Sequence, residues 1–211
     1  MRFLKTLIAA LSLGLIAAAA GAAPVEGKDY TVVNPALPSD TPGKIEVVEF
    51  FWYGCPHCAH FEPILNQWAK KLPKDAVLRP VPAPLNPSWV AGAKLFYALD
   101  ALGQEGKLRD SIFTAIHETS EFSPNDERNF PTWLAKKGVD AAKFSEVYGS
   151  FTIQSKLQRA GQLARSAGIS GTPSIVIGGR YRIDQPAGMP PQQFAELADF
   201  LVAKARKDAG K

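Results

Sequence analysis

The only two cysteines of this 211-residue chain, Cys55 and Cys58, stand together in Gly54-Cys55-Pro56-His57-Cys58. Two sulfurs at that spacing can exchange electrons as a dithiol and a disulfide, or supply half the ligands of a soft-metal site. A purely structural bridge makes poor sense, because closing so short a loop constrains the unfolded chain little. Zinc would need two further ligands. Beyond the pair only His57, His60 and His117 exist, His57 lies inside the loop, and there is neither a second CxxC nor an HxxxH. The ligand count therefore favours redox chemistry and assigns no metal.

The elements around the pair support that use. Ile45 to Trp52 is a run of β-branched and aromatic residues, the pattern of a strand buried on both faces. From Pro56 the period becomes helical, with Phe61, Ile64, Leu65 and Trp68 on one side, and Ala76 to Val81 reads as a second strand. Pro56 suits the first helical position, where its missing N–H is no loss. Cys55 then falls at the N-cap, where its sulfur can accept from the free amides of His57 and Cys58 and feels the positive end of the helix dipole. Both effects favour the thiolate, the nucleophilic form, and a charged His57 adds to them. Cys55 is thus the attacking sulfur, and Cys58, one turn inside, is the more buried resolving sulfur.

Residues from about Pro87 to Gly168 show helical spacing only. One stripe is Leu95, Leu99 and Leu102, closed by Gly103, and another is Leu108, Ile112, Ala115 and Ile116. A third segment holds Trp133 and Leu134, Asp140 is an N-cap candidate, and a long helix runs from about Thr152 to Ala167. Strand signals return in Ser174 to Ile177 and Arg180 to Ile183, read as a hairpin with the two-residue turn Gly178-Gly179. A last amphipathic helix carries Phe194, Leu197, Ala198 and Leu201. The order β-α-β, helices, β-β-α defines an α/β protein, a thioredoxin fold with an inserted all-helical subdomain.

Export is legible at the start. Met1 to Lys5 is basic, Thr6 to Ala20 is apolar and Ala-rich, and Ala20-Gly21-Ala22 fits a cleavage site, so residues 1–22 read as a signal peptide. The apolar run is shorter than the ~20 residues that a membrane span needs. The expected division is then 23–85 for the first part of the thioredoxin domain, 86–165 for the helical subdomain and 166–211 for the second part. Loss of Arg2 and Lys5 lowers the formal net charge from +4 to +2. The remaining basic residues are scattered, which gives nucleic-acid binding no support.

Glu49-Phe50-Phe51, Gly54-Cys55-Pro56-His57-Cys58, Phe61-Glu62, Gly171-Thr172-Pro173 and Gly178-Gly179-Arg180-Tyr181 together resemble the DsbA family of periplasmic disulfide oxidases. The resemblance covers essentially the whole chain after the signal peptide. It implies a monomeric periplasmic enzyme that introduces disulfides into unfolded exported proteins with free thiols. It also implies reoxidation by a membrane oxidase of the DsbB type and no cofactor beyond the cysteine pair. Catalytic residues would be Cys55, Cys58, His57, Pro56 and Glu49. Pro173 would be cis beside Cys55, and Thr172 would pair its backbone with an extended substrate segment.

Glu49 stands in an otherwise apolar strand, where a lone carboxylate is costly and tends to keep its proton. It either points to an edge, pairs with a base such as Arg79, or serves Cys58 as a proton relay. The lysine that the family supplies on the following strand is absent from Val77-Leu78-Arg79-Pro80. Glu62 reads as a surface or partner-pairing residue, and His60 and His117 as helix-surface residues. Two other functions remain open on the residues alone: a disulfide reductase or isomerase on the same fold, and a carrier that uses the CxxC for soft metals. An isomerase of this class usually adds an N-terminal dimerisation domain, for which the roughly 20 residues between the expected cleavage site and the first strong strand are too few.

Overall fold

The computed structural model describes residues 23–210, so the expected signal peptide lies outside the described residues. Five strands form one mixed sheet: β1 (Thr31–Val32), β2 (Ile45–Phe51), β3 (Ala76–Pro82), β4 (Ser174–Ile177) and β5 (Tyr181–Asp184), in the order β1-β5-β4-β2-β3. β2 is the central strand. It pairs parallel with β3, through the crossover helix α1 (Pro56–Ala69), and antiparallel with β4. Every residue of β2 is buried, as expected of a strand covered on both faces.

The two covering layers follow from the alternation of side chains along the strands. On one face Val47, Ile175 and Ile177 pack against Phe61, Leu65 and Trp68 of α1 and Phe194, Leu197 and Leu201 of α7 (Pro191–Asp208). On the other, Val48, Phe50 and Val176 meet Ala160, Leu163 and Ala164 of α6 (Phe151–Ser166). Between β3 and α6 lie α2 (Val90–Ala101), α3 (Glu105–His117), α4 (Phe130–Lys136) and α5 (Ala141–Tyr148). Asp140 caps α5 by accepting from the Lys143 amide at 2.9 Å. Leu95, Leu99, Ile112, Phe113, Trp133 and Leu134 build a core here that also contains Phe51, Tyr53, Cys55 and Cys58. Among the described residues no helix is long and apolar enough to cross a membrane.

Two details differ from the sequence reading. The β4–β5 loop has three residues, not two, because Ile177 pairs with Tyr181 and Gly178, Gly179 and Arg180 lie between them. Both glycines take positive φ, 60° and 68°, and the Gly179 carbonyl accepts from the Leu37 amide at 2.8 Å. The loop is therefore held by the segment that crosses over it. That segment follows β1, a two-residue strand paired with β5 and too short to carry a periodic signal.

Candidate active site

β2 ends at Phe51, and Trp52 to Gly54 turn the chain so that Cys55 occupies the N-cap of α1 with extended φ −87° and ψ 115°. Gly54 is required there: a Cβ would lie 2.4 Å from the Trp52 ring, which is stacked on Trp89 with centroids 4.3 Å apart. Pro56 takes the first helical position, and His57 is exposed on the first turn.

The Cys55 side chain does not close the expected cap with the His57 and Cys58 amides. It points across to the loop before β4 and donates to the Thr172 carbonyl at 3.3 Å. The bond to Thr172 draws the sulfur away from ideal capping geometry, although both amides stay close enough to favour its thiolate. The sulfur is still strongly acidified, from 9.0 to about 5. The hydrogen bond from the Cys58 thiol is the largest cause. Burial opposes it, and Thr172 and the amides of Cys58 and His57 add to the lowering. Cys58 is fully buried, and its thiol is pushed far up, first by burial and then by the bond to Cys55. The two thiols are unbridged. Opposite them the Thr172–Pro173 peptide is cis, and Thr172 Oγ1 is buried with no partner among the described residues.

Beneath the cysteines Glu49 is only 1 % exposed. It pairs neither with an edge nor with Arg79, which instead bonds Glu46 at 3.0 Å on the opposite face of β2. Its counter-charge is Arg109 of α3, whose Nη2 donates to Glu49 Oε2 at 2.7 Å. The position facing Glu49 on β3 is Pro80, so that strand supplies no base and the guanidinium enters from the helical subdomain. Arg109 also donates to Glu62 through Nε at 2.6 Å and Nη2 at 2.9 Å, and to Glu105 through Nη1 at 3.2 Å. Tyr53 Oη donates to Glu105 at 2.8 Å, and the guanidinium lies 4.1 Å from the Phe51 ring centroid. Glu62 is thus a buried member of this cluster rather than a surface residue. Burial raises Glu49 from 4.5 to about 8, against the pull of Arg109 and with a push from Glu62 and Glu105.

His60 is exposed, but His117 is half-buried, with Nε2 2.7 Å from the Tyr53 carbonyl, so it braces the turn before Cys55. Arg109 and Glu105 escaped the sequence reading. Their signal was an acid and a base four apart on a helix, beside the apolar stripe of Leu108 and Ile112, in a chain with an unpaired strand carboxylate. Among the described residues no three His, Cys, Asp or Glu side chains are grouped to hold a metal ion.

A cysteine pair at the start of α1, facing a cis-proline loop in this sheet order, defines a thiol–disulfide oxidoreductase of the thioredoxin type. Comparison with known proteins narrows the class. A family model for the DSBA-like thioredoxin domain matches residues 78–202. The thiol:disulfide interchange protein DsbA of Bordetella pertussis is 43% identical over 203 residues, 95% of this chain and 96% of that protein. DsbA of Pseudomonas aeruginosa is 38% identical over 187 residues. Its crystal structure superposes with a TM-score of 0.82, covering 89% of this chain and 97% of that one. The chain belongs to the DsbA family.

Proposed function

We propose that the protein introduces disulfides into exported polypeptides by handing them the bond held between Cys55 and Cys58. A substrate thiolate attacks Cys55 Sγ, the S–S bond breaks, and the electron pair passes to Cys58, which takes a proton. A second substrate thiolate then attacks the substrate sulfur of the mixed disulfide. Cys55 leaves as the thiolate, so the substrate loses two electrons and the cysteine pair gains them. The pair itself carries the electrons, with no further cofactor.

The single observation that carries the direction is the Cys55 sulfur at the start of α1, where its thiolate is favoured to about pH 5. A stabilised thiolate is a good leaving group and makes the reduced state the stable one, so the disulfide oxidises others. Pro56 and His57 form the helix start beside Cys55, and Thr172 and Pro173 present backbone to an extended substrate. Glu49, near neutral in acidity and beneath the pair, gives its proton to Cys58 as that sulfur leaves. On this reading the enzyme works in the periplasm as a monomer and is recharged by a membrane oxidase of the DsbB type, a reading that the likeness to DsbA proteins supports.

The test is the glutathione redox equilibrium read together with the pH dependence of Cys55 alkylation. Alkylation with a midpoint near pH 5, and a disulfide that glutathione reduces readily, are the expected results. A midpoint near that of a free thiol, with an equilibrium favouring the disulfide, replaces the oxidase with a reductase on the same fold.

A further inference from the structure

Three carboxylates and one guanidinium share a single buried site. Glu49, Glu62, Glu105 and Arg109 are all less than a tenth exposed, so with every acid ionised the site would hold two uncompensated negative charges. Buried charge of that kind is removed by proton uptake. The hydrogen bonds and the depth of each acid together point to the oxygen that takes the proton. Both oxygens of Glu62 accept from Arg109, and Glu105 Oε1 accepts from Tyr53 and Arg109. Glu49 Oε2 accepts from Arg109, whereas Glu49 Oε1 is buried and faces no donor among the described residues. Glu62 borders a cleft between α1 and α3, and Glu105 borders a cavity between β3, α2 and α6. Glu105 Oε2 accepts no bond either, but it belongs to an acid that borders a cavity, so Glu49 is the innermost acid and its Oε1 is the free oxygen that burial shuts off from solvent.

We propose that Arg109 is a positioning residue for the exchange reaction: by binding Glu49, Glu62 and Glu105 together it localises one proton on Glu49 Oε1 and sets the pH at which that proton is released toward Cys58. The groups facing Glu49 are Cys55 and Cys58 at the start of α1, Glu62 further along it, and Glu105 and Arg109 from α3, while Tyr53 from the turn after β2 bonds Glu105. Lys or Arg on β3 contributes nothing here, since Pro80 fills the facing position. The helical subdomain thus supplies both the counter-charge and one competing acid, and the redox pair is tuned from outside the thioredoxin unit.

This inference rests on the proton-relay reading of Glu49 and is tested separately from it. Full-length mature protein is prepared as wild type, Glu105→Gln, Glu62→Gln, Glu49→Gln and Glu49→Gln/Glu105→Gln. Glu105→Gln keeps an acceptor for Tyr53 and Arg109 while removing one like charge. Two readouts are followed against pH: the carboxyl 13C shift of Glu49, assigned by its loss in Glu49→Gln, and the rate at which a dithiol peptide reduces the oxidised protein. Removing one like charge lowers the Glu49 midpoint by about one pH unit, and the rate profile moves with it. Glu62→Gln acts in the same direction and serves if Glu105→Gln does not fold. A midpoint and profile in both variants that coincide with wild type overturn the proposal. So does a Glu105→Gln shift that persists in the Glu49→Gln background, since it then bypasses Glu49. A Glu49→Gln rate profile identical to wild type removes the relay itself, and the positioning role with it.

Discussion

At the scale of single residues, the structure separates two sulfurs and one carboxylate by giving each a different cost of charge. Cys55 is acidified to about 5 while Cys58, one turn deeper, is held as a thiol. The sign of the consequence follows from linkage. A group whose folded pKa is depressed stabilises the fold above its unfolded pKa and loses that contribution as pH falls through the folded value. The reduced wild type should therefore lose stability relative to reduced Cys55→Ser as pH drops from 8 to 4. The loss is about 1–3 kcal/mol, below the full shift because the sulfur is partly screened by solvent; urea unfolding at each pH measures it. Glu49 behaves in the opposite sense. Its folded pKa of about 8 exceeds the unfolded 4.5, so stability is present below pH 4.5 and is lost as pH rises through 8. Glu49→Gln should be about 1–3 kcal/mol more stable than wild type at pH 8, equal to it at pH 4, and slower in exchange. A variant that loses both activity and stability at pH 8 would show that Glu49 is structural.

At the scale of elements, the readable parts of the sequence were those whose local pattern matches their final environment. The apolar run of β2, the helical period of α1 and the Pro56 start are local signals, and each sits where the pattern put it. The helices of the insertion were legible for the same reason, including the Asp140 cap. What local pattern cannot encode is a partner from elsewhere. Arg109 stands 60 positions from Glu49, and nothing in the β3 sequence announces that its base has been moved to α3. The hairpin loop is a smaller case. Gly178-Gly179 has the composition of a two-residue turn, but Leu37 docks on it from a distant segment and the loop takes three residues. That docking makes a specific demand. A Cβ on Gly179 would lie 2.5 Å from the Leu37 carbonyl oxygen, at a φ of +68°. Gly179→Ala should cost about 2–3 kcal/mol, combining left-handed strain with displacement of the crossing segment. Urea unfolding measures the loss, and a cost below 0.5 kcal/mol would mean that the segment moves aside freely.

At the scale of the whole molecule, the active site lies on the seam between the thioredoxin unit and the helical insertion. Phe51, Tyr53, Cys55 and Cys58 share one core with Leu95, Leu99, Ile112 and Phe113, so the apolar contact across the seam includes the redox pair. Arg109 is the polar tie across the same seam, joining β2, α1 and its own helix through one guanidinium. Burial alone would weaken its charge, and Glu49 and Glu62 outweigh that effect. Removing the base would leave three acids facing one another in a dry site. Breaking a buried ion pair from one side costs about 3–5 kcal/mol, so Arg109→Met should be destabilised by that order at pH 7. The penalty is electrostatic and must depend on pH. With the guanidinium gone the folded acids hold protons more tightly than the unfolded chain does, so the deficit grows as pH rises above 4.5 and shrinks as pH falls below it. Lost packing of the arginine stem over Phe51 would not respond to pH at all. Unfolding free energies of Arg109→Met and wild type, compared from pH 4 to pH 8, separate the two. A deficit constant across that range would reduce Arg109 to a packing residue and leave the seam held by its apolar core alone.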